Sequence, residues 1–252
     1  MSDSRPILAV RGLCKSFGAL AVAQSINLDL AAGARVGLIG PNGAGKTTFV
    51  NLLTGMIAAD AGDVMLGGES ISKLRPEARV RRGLARTHQI NTLLIEESVR
   101  DNVAIAVAER DRFAWRILRF GRQWLACLEE AQARLDEMGI GAIADHTVRH
   151  LPYGQQRLLE IAIAMALKPR VLLLDEPGAG VPSAEAHVIH DALDRLPRDM
   201  AILIIEHDMD LVFRFAHEIV VMVQGKVLVR DVPAQIAANP EVRSVYLGRS
   251  RL

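Results

Sequence analysis

Hydrophobic and polar positions follow two different periods along this chain. Short aliphatic or alternating runs predict strands at Leu8–Val10, Ile26–Leu30, Arg35–Ile39, Asp63–Leu66, Leu84–Thr87, Val171–Leu174, Ile202–Ile205, Ile219–Val223 and Lys226–Val229. Helical patterns separate most of them, which predicts an α/β fold with a mostly parallel central sheet. The runs at 36–39, 171–174 and 202–205 are apolar throughout, as expected of strands covered by helices on both faces. Ile26, Leu28 and Leu30 alternate instead with Asn27 and Asp29, which predicts an antiparallel flank with one wet face.

From about Ser98 to Gly139 the strand pattern vanishes. Phe113, Ile117, Phe120, Trp124 and Leu128 recur on one face of a long helix, with Arg112, Arg116, Arg119 and Arg122 around its other sides. The chain therefore reads as a single domain: an α/β body over 1–97 and 169–232, an inserted helical lobe over about 98–168, and a helical tail over 233–252 opened by Pro233. The arginine stripe reads as a solvated face, with contact to anionic lipid or a partner as the alternative.

Composition narrows the function classes. The 252 residues carry 30 Lys plus Arg against 29 Asp plus Glu, a net charge of +1, which argues against a polybasic nucleic-acid binder. With 50% hydrophobic and 23% charged residues the composition is that of a globular chain. Cys14 and Cys127 fit no metal-ligand spacing and read as small core residues in a reducing compartment. Residues 1–6 show no signal pattern, and no apolar run approaches the ~18 residues of a membrane span. The expectation is a soluble, cytosolic protein.

The sharpest chemistry lies in Gly40-Pro41-Asn42-Gly43-Ala44-Gly45-Lys46-Thr47, which matches G-x-x-x-x-G-K-[ST] between a predicted strand and a predicted helix over Thr48–Met56. Glycines let the backbone wrap closely, so that amide N–H groups point at phosphate oxygens and the helix adds its positive end. Lys46 would pair with the β- and γ-phosphates, and Thr47 would place its hydroxyl on Mg²⁺. The apolar strand Val171–Leu174 then delivers Asp175, a second candidate Mg²⁺ holder, and Glu176, a candidate general base for an attacking water. A plain glycine turn and an ordinary turn carboxylate are the competing readings.

Three more elements follow in order: Gln89 after the Leu84–Thr87 strand, Leu151-Pro152-Tyr153-Gly154-Gln155-Gln156 opening a helix, and His207 after a buried strand. Each alone reads as surface or core. In this combination the chain resembles the ATP-binding subunit of ABC transporters over roughly residues 7–232. The resemblance implies Phe17 stacking on adenine and Thr48 in the phosphate loop. It implies Gln89 as a residue that senses Mg²⁺ and couples to membrane subunits. Tyr153, Gly154 and Gln155 become part of a signature segment completing the site of a second subunit, and His207 a residue touching the γ-phosphate. The cofactors implied are ATP and Mg²⁺. The partners implied are a second ATP-binding subunit, two membrane permeases and, indirectly, a solute-binding protein, with no nucleic acid. The place implied is the cytoplasmic face of the cell membrane.

The string Leu151–Ile161, the Glu206-His207-Asp208-Met209 run and the ending Ala238-Asn-Pro-Glu-Val … Tyr246-Leu-Gly248 are similar to the branched-chain amino-acid importers, most of all to the larger of their two ATP-binding subunits. Importers of urea or amides carry similar strings, and ABC ATPases that act on nucleic acid share the fold. Two departures stand out. Pro152 replaces the usual signature serine and brings neither hydroxyl nor N–H. Val181-Pro182 replaces the usual Leu-Asp. Both motivate a further reading, a weakly hydrolysing regulatory partner in a heterodimer.

Overall fold

A computed structural model describes residues 5–87, 93–112, 120–182 and 185–247. The elements begin β1 (Leu8–Phe17), β2 (Leu20–Leu30), β3 (Arg35–Ile39), α1 (Lys46–Thr54), β4 (Ala61–Leu66), β5 (Glu69–Ser70), α2 (Pro76–Arg81) and β6 (Leu84–Arg86). Next come α3 (Val99–Arg110), α4 (Phe120–Met138), α5 (Tyr153–Ala166), β7 (Val171–Asp175) and α6 (Ala186–Asp194). The chain continues through β8 (Ala201–Ile205), α7 (Met209–Phe215), β9 (Glu218–Val223), β10 (Lys226–Asp231), α8 (Pro233–Ala238) and α9 (Pro240–Leu247). Two compact units emerge, one of residues 1–84, 170–176 and 197–252, the other of 85–169 and 177–196.

The first unit is built on two sheets. β2-β1-β4-β5 form an antiparallel sheet, and β10-β9-β3-β8-β7 run in that order in the larger one. In the larger sheet β9, β3, β8 and β7 run parallel, and β10 turns back antiparallel on β9. This is the predicted α/β arrangement with an antiparallel flank. The strands expected to be apolar on both faces are β3, β8 and β7, neighbours inside the sheet.

Alternation along the parallel strands splits the core into two layers. Val36 and Leu38 of β3, with Val220 and Met222 of β9, pack against Phe49, Val50, Leu52 and Leu53 of α1 and against Leu8, Val10, Leu28 and Leu30 of the antiparallel sheet. Ile39, Ile219 and Val221 face the other way, onto Val212 of α7, Ile236 of α8 and Val242 of α9. α7 comes so close that a Cβ at Gly37 would stand 2.6 Å from Val212 Cγ1. α1 is thereby gripped between two sheets, and the chemistry at its start inherits that rigidity.

Two expectations change. β1 and β2 run well beyond Leu8–Val10 and Ile26–Leu30, because register slips between Val10 and Leu13, and again between Leu13 and Lys15, reset the in-out alternation. The tail holds two helices after Pro233, broken at Asn239, whose side chain accepts the N–H groups of Glu241 and Val242 and caps the second.

The second unit is mainly helical. Ser98 caps α3 by accepting the Asp101 N–H at 3.0 Å. Arg110, at the end of α3, makes paired contacts of 2.7 and 2.8 Å with Glu130 of α4 and donates to the Ala166 carbonyl of α5 at 2.7 Å, joining three helices. The buried face of α4 runs through Cys127, Ala131, Leu135 and Met138, with Trp124 and Leu128 half-buried beside it. Phe113, Arg116, Ile117 and Arg119 lie outside the described residues, Arg112 has φ 58, and Arg112 and Arg122 are exposed. Cys127 is buried as expected, whereas Cys14 is half-buried, its Sγ accepting the Ser25 N–H at 3.2 Å.

Candidate active site

Strand register places the candidate residues along one edge. Leu38 of β3 pairs with Ile205 of β8, which pairs in turn with Asp175 of β7. The segments that leave these three strands, 40–45, Glu176 and 206–208, therefore emerge side by side at the C-terminal edge of the sheet, where open α/β sheets bind ligands.

The 40–45 segment needs its glycines. A Cβ at Gly40 would stand 2.2 Å from the Met222 carbonyl oxygen, and one at Gly45, at φ 98, would stand 2.6 Å from the Val22 carbonyl oxygen. Gly45 holds the left-handed N-cap of α1 without any side-chain cap. Among the described residues no partner takes the amide N–H groups of Lys46, Thr47 and Thr48, while Phe49 N–H already bonds Gly45. These unclaimed donors, at the positive end of α1, are the chemistry that an anion of several oxygens would satisfy. Lys46 Nζ lies across the loop, donating to the Gly40 carbonyl at 2.6 Å and the Pro41 carbonyl at 3.3 Å. Burial pushes the Lys46 ammonium down from its ordinary value, against the opposing pull of Glu176 and Asp175.

Asp175 ends β7 half-buried. Glu176 follows in the left-handed region at φ 49, its N–H bonded to the Ile205 carbonyl at 2.8 Å. That conformation is uncommon for a residue with a side chain. His207 is 66% exposed, with Nδ1 4.0 Å from Glu176 Oε1 and 3.5 Å from Glu206 Oε2. The exposed Thr47 hydroxyl and the Asp175 carboxylate are hard oxygen donors of the type Mg²⁺ takes when substrate phosphates and water complete its shell. The residues fit the ion.

Phe17 is half-exposed at the tip of the β1–β2 hairpin, with Lys15 Nζ 5.5 Å from its ring centre. It pairs with Leu20, and Val22 two residues on is the strand position whose carbonyl abuts Gly45. Gln89 lies outside the described residues. Tyr153, Gly154 and Gln155 form the first turn of α5 in the second unit, after Pro152, which provides no side-chain cap. Tyr153 is partly exposed, and a Cβ at Gly180 would meet its ring at 2.9 Å. Gly154 is buried, with Glu185 Oε2 2.9 Å from where a Cβ would stand. Arg157 stands over Tyr153 and donates to Glu160 at 2.8 Å and the Ala179 carbonyl at 3.2 Å. Burial nevertheless pushes the Glu160 carboxyl up to about 7.

Two residues escape the sequence reading. Arg79 is 3% exposed and donates to the Leu52 and Leu53 carbonyls at the far end of α1, at 2.8 and 2.7 Å, and to Ser72 and Leu74. A cation there complements the negative end of the helix. Nothing in its local sequence marks it. Glu206, beside His207, is buried, and only its placement before that histidine could have flagged it.

A glycine loop of unclaimed amides, a half-buried lysine and two successive acids at the end of a neighbouring parallel strand define a P-loop nucleoside triphosphatase. Residues 23–179 match the family described as ABC transporter. The chain is 38% identical to the high-affinity branched-chain amino acid transport ATP-binding protein BraF of Pseudomonas aeruginosa, across 98% of this chain and all of that one. It is 36% identical, with the same coverage, to its counterpart LivG of Escherichia coli. Among solved structures, the ADP conformation of MJ1267, an ATP-binding cassette of an ABC transporter, superimposes with TM-score 0.84 at 28% identity, covering 97% of this chain and 99% of that one. The chain belongs to the ABC transporter family, as its ATP-binding and ATP-hydrolysing domain.

Proposed function

We propose that the chain is one of two ATP-binding subunits of an importer for branched-chain or related hydrophobic amino acids, working on the cytoplasmic face of the cell membrane with two permeases and a solute-binding protein. The observation that carries this reading is the end-to-end 38% identity with BraF. In the described residues no helix is long and apolar enough to cross a membrane, so on this reading the solute path belongs to other subunits.

In this scheme the Lys46 side chain and the amides of Lys46, Thr47 and Thr48 hold the β- and γ-phosphates, and Phe17 stacks on adenine. Mg²⁺, held by Thr47 and Asp175 with Gln89 alongside, would neutralise phosphate charge. Glu176 orients and deprotonates the attacking water, and His207 touches the γ-phosphate. Tyr153, Gly154 and Gln155 serve the site of the facing subunit. A γ-phosphate held from both sides closes the dimer, and its hydrolysis reopens it.

Labelled leucine and labelled urea uptake, measured in the source cell with Lys46→Ala in place of the original residue, tests the proposal. Loss of leucine uptake with urea uptake intact is expected, together with weakened ATP binding by the purified variant. Intact leucine uptake overturns the solute assignment. Unchanged nucleotide affinity overturns the reading of the loop.

A further inference from the structure

Directly after β8 the chain buries a carboxylate. The Glu206 side chain is 0% exposed, a costly place for a charge unless donors surround it. Its Oε2 accepts the His207 N–H at 2.9 Å and the Asp208 N–H at 3.2 Å, fixing the turn that leads into α7. Asp208 extends the same turn by capping α7, accepting the N–H groups of Asp210 and Leu211. The oxygen that holds this backbone also lies 3.5 Å from His207 Nδ1, and Glu176 Oε1 stands 4.0 Å from that same nitrogen. Both acids thus approach the imidazole at its Nδ1 edge.

An ionised carboxylate only accepts. Two of them at one ring nitrogen favour the tautomer with its proton on Nδ1, and which nitrogen carries the proton decides what the other can do. We infer that Glu206 is a positioning residue for His207: it pins the backbone on either side and holds the Nδ1 edge, leaving Nε2 as the nitrogen presented to the terminal phosphate of a nucleotide. This rests on the reading of His207 as the γ-phosphate contact.

The test is nitrogen NMR on the full chain labelled with ¹⁵N-histidine, in which His207, one of seven histidines, is assigned by its loss in His207→Gln. The expected spectrum of nucleotide-free protein shows neutral His207 mainly as the Nδ1–H tautomer. Glu206→Gln keeps the shape but removes the charge. It is expected to move His207 toward the Nε2–H form and lower kcat for ATP about tenfold, with KM within about twofold. A predominantly Nε2–H histidine in the unsubstituted protein overturns the proposal, and that measurement needs no variant to fold. A Glu206→Gln protein with unchanged tautomer and unchanged kcat overturns it equally. Neither result bears on whether Lys46→Ala weakens nucleotide binding, so the functional reading and this inference fail separately.

Discussion

Replacing Arg79 should damage the protein far more than an arginine in a charged stretch normally would. The residue is 3% exposed, and its guanidinium makes four donations, to Leu52, Leu53, Ser72 and Leu74, at 2.7 to 3.1 Å. Burial lowers its proton affinity, but a guanidinium stays charged at any working pH. Hydrogen bonds to a charged group each contribute about 1.5–3 kcal/mol, so Arg79→Met forfeits roughly 6–12 kcal/mol of them. Against that stands the returned cost of burying a cation, several kcal/mol. A net loss of about 2–4 kcal/mol remains, because carbonyls at the end of α1 lose their donor. For a chain of this length that is a fall in Tm of roughly 5–15 °C, read by thermal denaturation followed by circular dichroism. Arg79→Lys keeps the charge without the fork and should fall between the two. A Tm for Arg79→Met within about 1 °C of the parent would refute the account, since the bonds would then be shown to stabilise nothing.

Two further outcomes follow from the site and from the helical unit. Glu176→Gln should retain ATP binding and lower hydrolysis by about 10²–10⁴, the usual contribution of a general base; hydrolysis at the parent rate in a phosphate-release assay removes Glu176 from that role. Arg110 and Lys168 hold the Glu130 carboxyl at about 2, below the ordinary 4.5, so the unfolded chain binds the extra proton between those values. The stabilisation is full above pH ~4.5 and is lost as pH falls toward ~2. It amounts to about 1–2 kcal/mol after solvent screening. Glu130→Gln should therefore narrow the gap between melting temperatures at pH 7 and pH 3, and an unchanged gap refutes the pairing.

What the sequence discloses depends on how local the cause is. The 40–47 loop is legible because its demands, close backbone approach at Gly40 and a left-handed cap at Gly45, fall on consecutive residues. The interior strands are legible because burial on both faces removes polar residues from a contiguous run. β1 is legible only as far as Val10, since the register slip before Leu13 reverses the alternation that periodicity relies on. Arg79 is illegible for a different reason: it lies in α2 among charged neighbours, and its meaning comes from Leu52 and Leu53, which only the folded chain brings to it. Glu206 stands between these cases, adjacent to a suspected residue yet defined by burial that spacing does not report.

The same distinction changes how the two departures from the family pattern should be read. Along the chain, Pro152 and Val181 are 29 residues apart and look like independent losses. In the second unit the segments around them are neighbours: the Tyr153 ring fills the space beside Gly180, and Val181 Cγ1 lies 3.9 Å from where a Gly154 Cβ would stand. Arg157 closes the contact by stacking on Tyr153 and donating to the Ala179 carbonyl. A ring at 153 excludes any side chain at 180, and the 177–182 segment is shaped around what opens α5. The segments that carry the two departures therefore share one packing arrangement. Tyr153→Gly would empty the space beside Gly180, and so would probe the contact before it probed the chemistry.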